Sequence, residues 1–326
     1  MIISRTPFRV SFFGGGTDYP YFYEEHGGAT LLTTINQYCY ISIHQLSPFF
    51  KHRFRASYAK TESVLKPEDF QHPLVRECLL HLDIQDGLEI SHVSDLPGRT
   101  GMGTSSSFTV GLLNALHIFR GDRVTAEDLA REAIHVERER VGDDGGHQDQ
   151  YAAAYGGFLR LDFSSGSKVT VKKISLPVDR LRALEERLML FYTGVEQSSK
   201  DILREQKLRA PQNVPHLQEM RAFVEEAERV LVNGRNLDDF GVLLHHTWEL
   251  KKSLSTGIST PAMDQAYEAA RRVGALGGKL LGAGGRGFLL MFAPPDRQNK
   301  VRDALNSYQP VPLSIADDGS RIIFQS

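Results

Sequence analysis

An α+β fold in two lobes is the architecture this sequence predicts, and three observations predict it. The chain has 326 residues, about twice the length of one ordinary domain. Strand-like and helix-like stretches are mixed in both halves, without the regular alternation that builds a doubly wound sheet. The texture changes after about Pro177, from strand-rich to helix-rich, which places one lobe over 1–177 and the other over 178–326.

Residues 6 to 13 (TPFRVSFF) and 29 to 45 (ATLLTTINQYCYISIHQ) are rich in β-branched and aromatic side chains. Gly14-Gly15-Gly16 and Gly27-Gly28 punctuate them, so the chain should open as a β meander. A strand over 87–94 leads through Asp95-Leu96-Pro97-Gly98 into 104–119, which is apolar nearly all round, the mark of a buried helix. Thr125, followed by Glu127 and Asp128, reads as a cap with acidic residues in the first turn; the helix it opens runs to about Arg140. Gly142, Gly145 and Gly146 end it, and a short helix over 147–155 precedes strands over 157–163 and 168–174. The second lobe starts with a strand at 187–193 and three helical stretches, 197–209, 212–232 and 236–253. A helix at 260–274 then leads to strands at 279–281 and 288–292, joined by GAGGRG, before a helix at 295–307 and short closing strands.

Composition narrows the function. With 38 basic against 40 acidic residues the net charge is −2, whereas a general nucleic-acid binder or a polybasic membrane surface needs a basic excess. Cys39 and Cys78 are the two cysteines, too few for a disulfide framework and without metal-ligand spacing, which suits a reducing cytoplasm. Arg5 and Arg9 interrupt the apolar N-terminal stretch and no run of about eighteen apolar residues occurs, so neither a secretory signal nor a membrane span is expected.

Glycine-rich segments are the chemical candidates. GRTGMGTS from Gly98 has the glycine spacing of a Walker A loop, but Thr104 stands where the lysine belongs. Gly282, Gly284 and Gly287 spell a dinucleotide fingerprint, yet Phe288 to Phe292 after them reads as a strand and not as the helix that fingerprint needs. Gly98 to Ser107 does feed a flexible, hydroxyl-rich loop into a buried helix, so backbone N–H groups and the helix dipole converge there on an anion. A plain cap by Thr104 or Ser105 is the alternative; Ser105, Ser106 and Ser107 in a row offer more hydroxyls than a cap uses.

Glu137 shares a helical stripe with Ala130, Ile134 and Val141, so it should point inward while Arg138, Glu139 and Arg140 point elsewhere. A buried carboxylate demands a partner or a metal, although pairing with an arginine near the helix end would also serve. Asp149 near a helix start, Arg9 in a strand and Asp18 in a turn each have an ordinary structural reading as well.

Taken in order, these segments resemble the three motifs of the GHMP small-molecule kinases. Thr6-Pro7-Phe8-Arg9-Val10 through Gly14-Gly15-Gly16-Thr17-Asp18-Tyr19 resembles the first, Pro97 to Ser107 (PGRTGMGTSSS) is similar to the second, and Lys279 to Gly287 (KLLGAGGRG) resembles the third. The resemblance implies a mixed β-sheet N-terminal lobe and a ferredoxin-like C-terminal lobe, with ATP and Mg²⁺ as cofactors. It implies that Gly98, Thr100, Gly101, Met102, Gly103, Thr104, Ser105 and Ser106 wrap the ATP phosphates. Magnesium would be held by Ser105 and Glu137, Asp149 would be the base on the attacking hydroxyl, and Arg9 would stand beside it. Gly15, Gly16, Thr17 and Asp18, with Gly284 and Gly285, would line the substrate.

Galactokinases carry Glu-His before TDY where this chain has Gly15-Gly16, which argues against galactose. GGGTDYP, QDQYAAAYGGF and GAGGRGF resemble the bacterial subgroup that phosphorylates the anomeric hydroxyl of a heptose 7-phosphate; fucose kinases share the GGG feature. The partners implied are ATP and a small phosphorylated sugar, with no nucleic acid and no membrane, and with a homo-oligomer left open. A substrate already bearing a phosphate needs a basic pocket, for which Lys200 with Arg204, or Lys51, Arg53 and Arg55, are candidates.

Overall fold

A computed structural model describes residues 1–98, 100–194, 200–234 and 236–326 of the chain. The first lobe is built on two long strands, β1 (Ile2–Phe13) and β2 (Gly28–Gln45), joined through a short helix, α1 (Pro20–His26). They pair antiparallel from Ile2 opposite Ile43 to Phe13 opposite Leu31. Next come β3 (Phe54–Ser57), β4 (Thr61–Val64), α2 (Pro73–His81) and β5 (Leu88–Ser94). The buried helix is α3 (Thr104–Arg120), and it crosses β1 closely at Gly111, where an added Cβ would lie 2.7 Å from the Thr6 hydroxyl. Ser107 and Ser4 fasten that crossing, the first donating to the Pro7 carbonyl (2.8 Å) and the second to that of Gly111 (2.7 Å).

α4 (Ala126–Ile134) begins at the expected cap: Thr125 Oγ1 accepts from the Asp128 amide and the Asp128 carboxylate accepts from the Thr125 amide. It does not continue as one α-helix to Arg140. Residues His135–Arg140 form a π-helical turn, which inserts extra arc into the register. Glu137 and Ala130 are buried as the periodicity predicts, but Ile134 and Val141 are only half-buried, and Ala133 and Val136 take their places. α5 (Gln148–Tyr155), β6 (Phe158–Ser164) and β7 (Lys168–Lys173) complete this part of the chain.

The later part contains α6 (Val178–Glu185), β8 (Leu188–Tyr192), α7 (Lys200–Leu208), α8 (Ala210–Val232), α9 (Asp238–Ser253) and α10 (Pro261–Arg272). β9 (Gly277–Leu280), β10 (Phe288–Phe292), α11 (Gln298–Ala304), β11 (Gln309–Val311), β12 (Ile315–Ala316) and β13 (Arg321–Gln325) follow. Residues 197–199 of the expected helix, and the side chain of Lys200, lie outside the described residues.

Among the described residues the strands form two sheets. The larger has nine strands, runs β13-β1-β2-β5-β3-β4 with β6, β7 and β12 attached, and is mixed because β3 pairs parallel with β5. The smaller is antiparallel, in the order β11-β8-β10-β9, so its strands stand fourth, first, third, second. That order, with helices after the first and third strands, is the ferredoxin-like arrangement. β12 and β13 leave the smaller sheet and return to the larger, pairing with β2 and β1. Phe240 of α9 packs edge-on against Phe12 and Phe13, joining the later helices to the end of β1.

Candidate active site

Arg9 stands on β1 and Asp149 in the first turn of α5, and the fold brings them into a two-pronged ion pair. Arg9 Nε and Nη2 donate to Asp149 Oδ1 and Oδ2, each at 2.7 Å, while Nη1 donates to the Gly101 carbonyl at 2.5 Å. The Arg9 amide donates to the Met102 carbonyl (3.1 Å), so the strand and the glycine loop are also joined through backbone. Bidentate pairing fixes both planes at once. Arg9 is 5 % exposed, whereas the carboxylate keeps about a fifth of its surface open, so the pair faces outward through Asp149. A Cβ at Gly103 would lie 3.1 Å from Arg9 Cγ and 3.4 Å from Asp149 Oδ2, at a φ of 70° that strains any other residue, so a side chain there would crowd the pair.

Glu137, expected to share a metal with Ser105, is met in this structure by the next serine. Ser105 is exposed at the start of α3, and the hydroxyl that meets Glu137 is Ser106's, donating to Glu137 Oε2 at 3.0 Å. Gln150 Nε2 donates to the same oxygen at 2.7 Å. Glu137 is 1 % exposed; burial pushes its carboxyl above the ordinary range, against the opposing pull of Arg138. Its Oε1, and Oε1 of Gln150, are buried with no hydrogen-bond partner. Two oxygen acceptors left without donors, beside a serine hydroxyl, are the donor set a hard divalent cation takes, so the residues fit magnesium.

Arg138 belongs to the site, contrary to its expected outward direction. The π-helical turn brings it round so that Nη2 donates to the Gly146 carbonyl (2.8 Å) and Nη1 to Asp143 Oδ2 (3.2 Å), with Glu137 Oε2 3.6 Å away. A Cβ at Gly145 would lie 2.3 Å from that guanidinium.

Asp18 is buried next to this loop and accepts from the amides of Gly16 (2.9 Å) and Gln148 (3.3 Å). Burial raises its carboxyl above the ordinary range, and the charge of Asp149 adds to the rise. A Cβ at Gly146 would fall 1.9 Å from Asp18 Oδ2, so the first-motif turn and the α5 loop close on each other with no spare volume. Gly15 and Gly16 lie beside Asp18, Gly15 next to the Gln148 amide group. Thr17 is enclosed: its hydroxyl donates toward the Gly14 and Ala29 carbonyls and accepts from the Ala29 amide, so it ties the turn to β2.

The third glycine segment meets the second through backbone. A Cβ on Gly282 (φ 68°) would stand 2.3 Å from Gly101 Cα, and one on Gly287 would meet the Thr100 carbonyl at 2.4 Å. Gly284 and Gly285, expected at the substrate, lie on Ile258, whose carbonyl accepts the Gly285 amide at 2.9 Å. Thr100 Oγ1 donates to the Pro97 carbonyl and closes its turn (2.9 Å), Met102 is buried, and a Cβ added at Gly98 would meet open space. Of the basic candidates, Arg55 is paired with Glu89 (2.5 Å), Arg53 donates to the Gln85 carbonyl, Lys51 is exposed, and Arg204 is exposed on α7.

Sequence reading missed two lysines. Lys251 of α9 and Lys279 of β9 are buried beneath the loops, the first donating to the Leu280 and Gly282 carbonyls (2.8 and 2.6 Å), the second to the Phe12 carbonyl (2.9 Å). Lys279 opens the KLLGAGGRG segment and could have been noticed as a cation inside an apolar strand; Lys251, in a run of two lysines, carried no such signal.

Comparison with known proteins agrees with this geometry. The family described as GHMP kinases N terminal domain matches residues 73–157, and GHMP kinases C terminal matches 220–311. A D-glycero-alpha-D-manno-heptose 7-phosphate kinase of Campylobacter jejuni is 28% identical over 320 residues, covering 94% of each chain. An L-fucokinase/L-fucose-1-P guanylyltransferase of Bacteroides fragilis is 28% identical over 254 residues, 74% of this chain and 26% of that longer one. The crystal structure of a D-glycero-D-manno-heptose 1-phosphate kinase from Bacteroides thetaiotaomicron superposes with a TM-score of 0.81 at 24% identity over the whole of both chains, a likeness of fold. Among the described residues no helix is long and apolar enough to cross a membrane.

Proposed function

The chain belongs to the GHMP kinases, and from that premise we propose that it transfers the γ-phosphoryl group of ATP to the anomeric hydroxyl of D-glycero-D-manno-heptose 7-phosphate. The product would be the 1,7-bisphosphate, a precursor for nucleotide-activated heptose, made in the cytoplasm. The observation that carries the reading is the Arg9–Asp149 pair held against the Gly101 carbonyl, at the mouth of the loop that feeds α3. Phosphoryl transfer asks for positioning and charge neutralisation more than for covalent chemistry.

In this reading the amides of Gly101 to Ser106 receive the β- and γ-phosphates at the start of α3. Asp149 orients the sugar's O1 and accepts its proton, and Arg9 holds the carboxylate plane while its guanidinium faces the transferring group. Glu137 and Ser106 would hold magnesium, which would supply charge neutralisation for the phosphates. Asp18, in the turn that carries Gly15 and Gly16, lines the sugar side. Support for a heptose comes from the relative that covers 94% of both chains and from the glycines that stand where galactokinases carry side chains.

The test is ADP release measured across heptose 7-phosphate, unphosphorylated heptose, mannose, fucose and galactose, with Asp149→Asn as control. Heptose 7-phosphate should give the highest kcat/KM, and the variant should lose about two to four orders of magnitude in kcat with ATP affinity little changed. Turnover confined to fucose would replace the substrate and leave the chemistry standing. ATP bound without ADP release for any sugar would make the chain a sensor.

A further inference from the structure

Three cations meet under the glycine loops, and the negative charge around them is incomplete. Arg9 commits its guanidinium to Asp149 and the Gly101 carbonyl. Lys251 and Lys279 have backbone carbonyls as their only hydrogen-bond acceptors and no carboxylate partner among the described residues. The groups facing them from neighbouring elements are Arg9 and the Phe12 carbonyl of β1, Asp18 of the following turn and the carbonyls of Leu280 and Gly282. The Trp248 ring, 5.9 Å from Lys251 Nζ on the same helix, completes the surroundings, with Asp149 reaching them through Arg9. Burial first, then Arg9, pushes the Lys279 ammonium down to about 7, with Asp18 pulling the other way; burial, Lys279 and Arg9 push Lys251 well below its ordinary range. A buried ammonium without a counter-charge is costly, and an anion brought alongside favours the charged form.

The lysines are also mechanically connected to the catalytic pair. Lys251 holds the carbonyl of Gly282, Gly282 abuts Gly101, and the Gly101 carbonyl accepts from Arg9. Lys279 holds the carbonyl of Phe12, three positions beyond Arg9 on β1. We propose that Lys251 and Lys279 are positioning residues for phosphoryl transfer, and that an anionic phosphate chain lying on the glycine loops draws protons onto them, coupling nucleotide binding to proton uptake. This rests on the kinase reading above. The sign follows from the lowered affinity of Lys279 for its proton in the free protein. Below about pH 6 it is charged already and binding takes up nothing, whereas above 7 it is largely neutral and binding must recharge it. Nucleotide affinity therefore declines as pH rises through that range.

Titration calorimetry with ATP and Mg²⁺ at about pH 8, in buffers of different ionisation enthalpy, measures the coupling. Roughly half a proton or more should enter per nucleotide bound to the wild type. Lys279→Met should lower that uptake markedly and bind ATP about tenfold more weakly. Lys279→Arg, charged at every pH, should bind ATP at pH 8 at least as tightly as the wild type and lose the share of proton uptake that belongs to Lys279. Wild-type binding without uptake, or full uptake in Lys279→Met, overturns the proposal. If the Met variant does not fold, Lys279→Arg decides alone, since undiminished uptake there is equally fatal. Absence of ATP binding by the wild type overturns the kinase reading instead, and this proposal falls with it.

Discussion

Ser105 and Ser106 are neighbours at the start of α3, yet a helix turns successive side chains by about 100°, and only Ser106 faces Glu137. Ser106→Ala should therefore raise the Mg²⁺ concentration needed for half-maximal ADP release by roughly tenfold or more, and Ser105→Ala should raise it far less; the reverse order would return the metal site to Ser105. Glu137 gives a second prediction, in stability. Its carboxyl is raised by burial in the folded chain, so the fold prefers the neutral form. Ionisation of the unfolded chain above the ordinary value of 4.5 then works against folding, increasingly so until pH passes the raised folded value, and by a constant amount beyond it. Glu137→Gln should unfold a few degrees higher than the wild type at pH 7 to 8 in the absence of metal, with the gap closing toward pH 4, while losing magnesium-dependent turnover. Thermal scans across pH check it. Arg9, Asp18 and Asp149 are legible as site residues through the resemblance to the family's motifs, and Glu137 through an apolar stripe together with that resemblance. Which of three adjacent serines meets Glu137 is not, because residue type is the same at all three.

The π-helical turn at His135–Arg140 decides where two charged side chains go. A reading based on helical period assigns one direction per position, and no residue type marks an inserted arc, so Arg138 was read as pointing away. Deleting His135 should remove the excess residue and rotate Glu137 and Arg138 against α4 by about 100°. ADP release should then drop by about a hundredfold while circular dichroism still shows a cooperative unfolding transition; near-normal turnover would mean the turn does not aim these residues. The elements that escaped the sequence reading share a cause. α1 and α2 each begin at a proline, α6 follows Pro177, and proline reads as a turn although it also suits the first helical position. β4 is four residues long, too short to show alternation.

At the scale of the molecule, the second and third glycine segments act as one object. Gly282→Ala would force a Cβ to within 2.3 Å of Gly101 Cα at a φ of 68°, and kcat/KM for ATP should fall by roughly a hundredfold. Gly166→Ala, also left-handed at 72° but with nothing within 4 Å, should reduce stability alone. Equal kinetic effects of the two would refute the loop contact. The glycine runs were visible in the sequence, but which members touch was not: Gly282 and Gly287 meet the second segment, and Gly284 and Gly285 meet Ile258. The two lobes were suggested by composition, whereas the pairing of β12 with β2 and β13 with β1 lies beyond any local pattern.

That return of the last strands bears on synthesis. A ribosome delivers β1 about three hundred residues before β13, so the outer margin of β1 emerges without the neighbour that will later cover it. Until β13 arrives, the nascent chain carries an open, partly apolar edge, and chaperone engagement should persist until that strand has emerged.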